Sequence, residues 1–250
     1  MTHKQVSATA GWTWFAQGWS VFTKSAGLWI VLALIFGIIY FVLSLIPIIG
    51  ALAAALLGPA LFGGLLYGAR ELDRGRSLEV AHLFQAFREP GRAGPMILLG
   101  LVPVIAGIIT AILVGVLVAG AMGTGAATGS GDAAMGMLAG GGMALTLIGV
   151  IMGIVVAALL LFAIPRVMFG AASPGAAIKE SLQASIGNIG AFVVFAIIYI
   201  VLSIIAAIPL GLGFLVLIPV MAGAVYSANK DVFGADGDAM EPEAGAAPAG

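Results

Sequence analysis

Six long apolar stretches without a charged residue constrain the fold of this chain more than any other feature. They cover residues 28–46, 51–69, 96–121, 143–164, 191–208 and 210–228. A helix that crosses a bilayer needs about 20 consecutive apolar residues, and each stretch is close to that length. Only 8% of the 250 residues are charged, against about 25% in an ordinary soluble domain. The sequence therefore predicts an all-α integral membrane protein with six transmembrane helices, arranged as three hairpins.

All ten Lys and Arg residues fall on one side of the six stretches. They lie before the first stretch, between the second and third, between the fourth and fifth, and after the sixth. Positive residues in short loops are retained on the cytoplasmic side of a membrane. We therefore expect both termini to be cytoplasmic, and Asp132 to be the only charged residue on the opposite face.

Each odd-numbered stretch is preceded by a segment with helical spacing of apolar residues, at about residues 11–24, 77–89 and 174–188. The first segment places Trp12, Phe15, Trp19 and Phe22 at steps of three and four. Because Trp favours the headgroup region, we expect a surface helix in the membrane interface, anchored by these aromatic side chains. The alternative is that they only cap the first span.

The other two segments have their own start signals. The second has Ser77 as its expected N-cap, and its expected apolar face consists of Val80, Leu83, Phe84 and Phe87. The third has Ser173 as its expected N-cap with Pro174 in the first turn, and its expected apolar face consists of Ile178, Leu182 and Ile186. Both are predicted to be cytoplasmic interfacial helices.

Two hairpins echo each other in sequence. Residues 38–46 read IIYFVLSLI and residues 197–205 read IIYIVLSII, identical at seven of nine positions. The same offset of 159 residues superposes Gly64 on Gly223 and Tyr67 on Tyr226, although the prolines at 59 and 219 miss it by one. We interpret hairpins 1 and 3 as a parallel repeat.

The cores of the six spans contain no ionisable side chain, which argues against transport coupled to a buried carboxylate. Their notable polar groups are Tyr40 with Ser44 and Tyr199 with Ser203, each pair four residues apart and so on one helix face. Two interpretations stay open. The pairs line a small intramembrane polar site, or their hydroxyls hydrogen-bond to carbonyls and hold helices together.

Chemistry-bearing residues gather in the loop after the second span. A basic cluster there is expected to bind acidic lipid headgroups or a partner protein, and it consists of Arg70, Arg74, Arg76, Arg88 and Arg92. Glu79 and His82 have the spacing of metal ligands, but a site would need several more inward ligands. We predict no catalytic, cofactor-binding or metal-ligating residue, no cofactor, no nucleic-acid partner and no enzymatic activity.

Two further segments are predicted to lack regular structure. Residues 122–142 are rich in Gly and Ala and are expected to form a flexible linker. Residues 234–250 are acidic and contain proline, which predicts a disordered tail after a single membrane domain of residues 1–233.

The motifs "ARELDRGRSLEVAHLFQAF" (69–87) and "FAIPRVMFGAASPGAAIKESLQASIGNIGAF" (162–192) carry a family resemblance. The chain resembles a proteobacterial family of six-span membrane proteins of unknown function over most of residues 12–234. More distantly, it is similar to the membrane domain attached to some glycerophosphodiester phosphodiesterases. The resemblance implies a six-span architecture and a bacterial inner-membrane location, and it brings no catalytic residue with it.

The leading hypothesis is a non-enzymatic inner-membrane component that acts through contacts with the lipid bilayer, with acidic lipids, with another membrane protein or with a second copy of itself. The alternative is a facilitator or exporter of a small or lipid-like solute, suggested by the repeat and the paired Tyr and Ser residues.

Overall fold

The computed structural model describes residues 3–128, 131–170 and 172–234, with side chains outside 121–141. A 3-10 helix covers Val80–Phe84. The α-helices are α1 (Ala10–Thr23), α2 (Ala26–Ser44), α3 (Ile49–Asp73), α4 (Gln85–Arg88), α5 (Ala93–Leu99), α6 (Leu101–Thr128), α7 (Gly131–Leu160), α8 (Ala163–Phe169), α9 (Pro174–Gly187), α10 (Ile189–Ala207) and α11 (Phe214–Phe233). No β-strand occurs in these three ranges, so the predicted all-α class is confirmed.

Five segments within the described ranges are long and apolar enough to cross a membrane. They are Ala26–Ser44, Ile49–Asp73, Ala93–Gly120, Gly142–Phe169 and Ile189–Ala207. The sixth predicted stretch, 210–228, overlaps α11 from Phe214 onward. The final turns of α11 carry the polar residues Asn229, Lys230 and Asp231, which lower its hydropathy. The chain is thus a multi-pass membrane protein with five candidate spans.

Helices α3 and α11 form the centre of the bundle. They pack against each other and against α2, and α3 also contacts α5 and α8. The side chains packed between these helices include Trp29, Leu65 and Leu66, all fully buried. By contrast, the outer sides of α6 and α7 expose Ile112, Val116 and other large apolar side chains. This distribution suits a protein whose surrounding solvent is hydrocarbon.

The predicted linker at 122–142 is wrong in most of its length. Helix α6 continues through Thr128 and α7 begins at Gly131, so the Gly- and Ala-rich residues on either side of 129–130 are helical. Residues 129–130, like the predicted tail at 235–250, lie outside the described residues. A lipid environment explains the helices, because backbone groups that cannot bond to water must bond within the segment.

Helix α1 lies against α10 and α11. At its closest point Gly18 meets α11, where a Cβ on Gly18 would overlap the carbonyl oxygen of Val220. Gly223 faces the same contact, since a Cβ there would come within 2.9 Å of the Gly18 Cα. Two backbones can approach this closely only where side chains are absent. The helix is therefore an integral part of the bundle.

The predicted aromatic face of α1 is divided between two environments. Phe15 and Phe22 are buried, and the Phe15 ring lies 4.7 Å from the ring of Phe195. Trp12 and Trp19 are 65% and 54% exposed. The helix at 11–24 is confirmed, but its four aromatic residues do not share one surface. Only the two tryptophans are placed as interfacial anchors would be.

The second predicted surface helix differs from the expectation. Instead of one helix capped by Ser77, the chain forms the 3-10 helix Val80–Phe84 followed by α4, and Glu79 is the N-cap. Of the expected apolar face only Leu83 is fully buried. The segment packs onto α3, where Gly64 has no side chain to obstruct the carbonyls of residues 82 and 83. Gly64 thus lies against this segment, whereas Gly68 faces both Leu78 and Trp29 of α2.

The helix predicted at 174–188 is confirmed as α9, with Ser173 as N-cap and Pro174 in its first turn. Its buried face is the reverse of the expectation. Small residues are buried against α7 and α8, namely Ala177, Ser181, Ala184 and Ser185, whereas Ile186 is 63% exposed. Ser181 Oγ donates to the carbonyl of Ala158 at 2.9 Å and accepts from the N–H of Phe162 at 3.1 Å, at the break between α7 and α8.

Two of the predicted surface segments pack chiefly on the long helices that precede them. The 3-10 helix contacts α3 and α2, and α9 contacts α7 and α8. Helix α1 packs instead on α10 and α11. The first and last helices of the described chain are therefore in direct contact.

Candidate functional site

The helix ends that carry the charged residues meet at one end of the bundle, which we name the charged end. Asp73 closes α3 there and accepts hydrogen bonds from Lys230 Nζ at 2.7 Å and from the Tyr226 hydroxyl at 2.9 Å. Lys24, between α1 and α2, donates to the carbonyl of Leu72 at 3.3 Å. Three segments distant in sequence are thus joined by charged groups.

The last turn of α11 also holds the N-terminal segment. Asp231 accepts a hydrogen bond from the indole N–H of Trp14 at 3.1 Å and lies 3.8 Å from Lys4 Nζ. The backbone N–H of Lys4 donates to the carbonyl of Val232 at 2.8 Å. Trp14 is 1% exposed, so its N–H would be costly to leave without an acceptor. Asp231 supplies that acceptor.

A cavity of about 490 Å³ opens between α1 and the ends of α3 and α11, and we name it the charged-end cavity. One wall is the polar side of α1, formed by Thr13, Gln17, Ser20 and Lys24. The other wall is formed by Asp73, Tyr226, Ser227, Lys230 and Asp231. Two neighbouring cavities, of about 440 and 340 Å³, share Asp231 with it. Polar and charged side chains thus predominate around this cavity.

The predicted basic cluster makes several contacts inside the fold. Arg76 forms a two-pronged ion pair with the buried Glu71. Arg92 donates to Glu89 at 2.8 Å and to the carbonyls of residues 167 and 170 at the end of α8. Arg70 lies over the rings of residues 67 and 169 at 4.7 and 4.6 Å. Arg74, Arg76 and Arg88 are exposed, and headgroup binding by the basic cluster stays a prediction.

Arg166 is a buried charge that the sequence reading did not single out. It is 7% exposed, and its guanidinium donates to Glu180 on α9 at 2.8 Å and lies over the ring of Phe233 at 4.9 Å. It thereby joins α8, α9 and α11. Its position inside the apolar run around Pro165 was the signal in the sequence that could have identified it. A charge in such a run must have a partner.

His82 completes a capping box at the start of the 3-10 helix. Its Nδ1 accepts a hydrogen bond from the backbone N–H of Glu79 at 3.2 Å, and its ring lies edge-on to Tyr67 at 5.2 Å. Burial lowers the pKa of His82 below its ordinary value, and this outweighs the opposing effect of Glu71 and Glu79. The imidazole is therefore held neutral, as an Nδ1 acceptor must be.

The predicted intramembrane polar residues are not gathered around one cavity. Tyr40 and Ser44 line a space of about 290 Å³ closed by the turn of their own hairpin, residues 46–54. The Tyr40 hydroxyl donates to the carbonyl of Ala54 at 3.3 Å, and Ser44 donates within its own helix. On α10, Tyr199 is 39% exposed, and Ser203 Oγ is buried without a hydrogen-bond partner among the described residues. Neither lines that space.

Asn188 was also missed from the sequence. Its side chain accepts from the N–H of Val6 at 2.7 Å and donates to the carbonyl of Lys4 at 3.1 Å. These bonds fasten the N-terminal segment across the junction of α9 and α10. An Asn between two predicted helices was the only signal in the sequence. It did not indicate that the side chain is buried or which segment it binds.

The all-α fold, the apolar helices and the charges gathered at one end define a multi-pass integral membrane protein. The model of the family DUF2189, described as a predicted integral membrane protein, matches residues 45–169. That range is half of the chain and runs from the turn before α3 to the end of α8. The chain belongs to this family. Neither the curated proteins nor the solved structures contain a significant match to it.

Proposed function

We propose that the protein is a non-enzymatic component of a bacterial inner membrane that acts by contact with lipid or with other membrane proteins. One observation carries this proposal. The charged side chains at the charged end are largely spent on bonds between helices, whereas α2, α6, α7 and α10 present large apolar side chains outward. Such a surface interacts with acyl chains or with the helices of another protein, and apolar groups alone offer no chemistry to a substrate.

Purification in a mild detergent followed by mass spectrometry tests this proposal. We expect a stoichiometric membrane-protein partner, a second copy of the chain, or retained phospholipid. A chain that elutes alone and free of lipid, while still folded, contradicts it. Elution in a high-detergent buffer, which strips weakly bound lipid, provides the matched reference.

The proposal includes six spans with both termini in the cytoplasm. Helix α11 supports a sixth crossing, because α10 and α11 are joined by a short turn and the far end of α11 meets the end of α3 through Asp73 and Lys230. The positive residues at that end favour the cytoplasmic side. A reporter that is active only outside the cytoplasm, fused after Lys230, should be inactive. The same reporter inserted at Ser130 should be active, and the opposite pattern contradicts the topology.

The repeat of hairpins 1 and 3 is also part of the proposal. Helices α3 and α11 each contain an interior proline, Pro59 and Pro219, followed four residues later by a tightly packed glycine. Each then ends in a basic residue followed by an acidic one, at 70–71 and 230–231. These positions share an offset of 160. Residues 38–46 keep the offset of 159, so this alignment places one extra residue in the second copy between the counterparts of Ser44 and Pro59. It pairs Gly63, and not Gly64, with Gly223.

The second candidate function is a facilitator or exporter of a small or lipid-like solute. It is favoured by the space beside Tyr40 and Ser44 and by the buried hydroxyl of Ser203. Flux into vesicles that contain the protein, compared between the native chain and the Tyr40→Phe and Tyr199→Phe variants, tests it. If the protein produces no flux above that of empty vesicles, this candidate is removed.

A further inference from the structure

The polar wall of α1 carries hydrogen-bond donors that the fold uses only in part. The Thr13 hydroxyl donates to the carbonyl of Thr9 at 3.3 Å. Thr13, Gln17, Ser20 and Lys24 recur at steps of four, three and four, which places them on one face of the helix. The side chains of Gln17 and Ser20 make no hydrogen bond to the described residues. Lys24 spends one of its three donors on the neutral carbonyl of Leu72. This wall can therefore bond to a ligand without breaking the bundle.

The charges around the charged-end cavity and the neighbouring cavities that share Asp231 do not balance. The charged-end cavity itself has two lysines, at 24 and 230, and two aspartates, at 73 and 231. Lys4, in the neighbouring cavity, lies 3.8 Å from Asp231 and adds one positive charge. Asp73 is already bonded to Lys230 and Tyr226, and Asp231 to Trp14. The excess positive charge therefore lies near Lys24, next to the donors of α1.

We propose that the charged-end cavity binds a phosphate group between Lys24 and Lys230, with Ser20 and Gln17 as further donors. A phosphate offers several acceptor oxygens at once, and lysine is a common partner for it. The volume of about 490 Å³ exceeds what a bare phosphate fills and lies in the range of small-molecule pockets. The ligand is a polar phosphate ester whose other end bonds to Thr13 and Asp231. This assigns a ligand site that the proposed membrane role does not require.

The phosphate comes either from a soluble ester or from a phospholipid headgroup, and two measurements distinguish these sources. Calorimetric titration of the protein in an uncharged detergent with inorganic phosphate and with ethanolamine phosphate tests the soluble source. Mass spectrometry of the intact protein after exposure to phosphatidylethanolamine and phosphatidylglycerol vesicles tests the headgroup. Ethanolamine phosphate is chosen because its ammonium group can bond to Asp231.

The Lys24→Gln variant should bind the soluble probe, or retain the lipid, at least tenfold more weakly than the native chain, since a hydrogen bond to a charged group contributes about a factor of ten or more. The Ser20→Ala variant should bind several-fold more weakly. Lys179→Gln removes an exposed lysine on α9 outside the cavity and should bind as the native chain does. If Lys24→Gln fails to fold, Ser20→Ala, which removes only an exposed hydroxyl, decides the question. The proposal is overturned if neither the soluble phosphates nor the phospholipids bind, or if Lys179→Gln weakens binding as much as Lys24→Gln.

Discussion

Small residues determine how closely the segments of this protein approach each other. Gly18, Gly64 and Gly223 lie where a backbone atom of another segment occupies the space of a side chain. Other glycines in the same chain, such as Gly149 and Gly153, have no atom within 4 Å of the place where a Cβ would lie. The sequence shows the same small-xxx-small spacing at 64–68 and at 149–153, so spacing alone could not tell a packed pair from an open one.

Gly64→Ala should destabilise the protein. Its Cβ would overlap the carbonyls of residues 82 and 83, and since these are backbone atoms the 3-10 helix must move as a whole. Overpacking of this kind costs about 1–3 kcal/mol. Thermal unfolding in detergent should show a lower midpoint for Gly64→Ala and an unchanged or higher one for Gly149→Ala, the matched control. Equal midpoints would mean that the contact between α3 and the 3-10 helix is loose.

His82 makes the stability of the protein dependent on pH. Burial lowers its pKa in the folded state, so the unfolded chain binds the proton more readily. Above the unfolded pKa of about 6.5 both states are neutral and nothing changes. As the pH falls below that value, protonation favours the unfolded chain and stability declines, until the folded state also binds the proton below its lowered pKa.

The variant His82→Gln keeps an acceptor for the capping box and cannot become charged. Its unfolding midpoint should therefore fall less than that of the native chain between about pH 7 and pH 5, the range below the ordinary histidine pKa. His3→Gln removes the other histidine and should leave the native dependence in place. If the unfolding midpoint of the His82→Gln variant falls as much as that of the native chain, the pH dependence arises from carboxylates and not from His82.

At the scale of elements, the sequence predicted where helices lie better than which face they bury. Helices α1 and α9 fall within one residue of the predicted starts and ends. Their buried faces were misjudged, because hydrophobic spacing identifies an apolar side without saying whether it meets a helix or lipid. In α9 the isoleucine at 186 is exposed and Ser181 and Ala184 are buried. Close helix packing in membranes selects small residues, so the interior here is less apolar than the surface.

Arg92 links two elements that are far apart in sequence. It precedes α5, and its guanidinium bonds to two carbonyls at the C-terminal end of α8, which lack partners inside their own helix. Arg92→Gln should lower stability by about 1.5–3 kcal/mol, as expected for hydrogen bonds to a charged group. Arg92→Lys should recover only part of this, since an ammonium lacks the planar fork.

Denaturant unfolding of the purified protein measures the effect of Arg92. Arg88→Gln removes an exposed arginine from the same loop and should change stability little. If both variants are equally destabilised, the loss reflects the total charge of the loop and not the link between α5 and α8.

At the scale of the whole molecule, the one-sided distribution of charge was visible in the sequence. The bonds that these charged side chains form between helices were not. The ten Lys and Arg residues predicted a single charged face, and the bonds at the charged end bring their helix ends together. The pairing of Asp73 with Lys230 spans 157 positions, and no local pattern indicates such a partner. For the same reason the charged-end cavity, which needs α1, α3 and α11 together, could not be located from the sequence.

The packing of α1 on the last two helices gives a test of the whole architecture. Helix α1 packs on α10 and α11, and the N–H of Lys4 bonds to the carbonyl of Val232, so the last two helices depend on the first for part of their packing. Deletion of residues 1–24 should therefore prevent recovery of folded protein, since it exposes the Gly223 groove and leaves Asp231 without Trp14.

A circular permutant separates the need for α1 from the need for its covalent position. Joining Gly234 to His3 through a short Gly/Ser linker and opening the chain between Pro90 and Gly91 keeps every helix and breaks only an exposed turn. The new ends lie on the charged face, so no terminus has to cross the bilayer. This permutant should be purified as a single species with an unfolding midpoint near that of the native chain. A permutant opened between Gly63 and Gly64, inside the central helix α3, should not fold. A stable deletion variant together with a failed permutant at residues 90–91 would show that α1 is an accessory helix and that the three hairpins form the bundle without it.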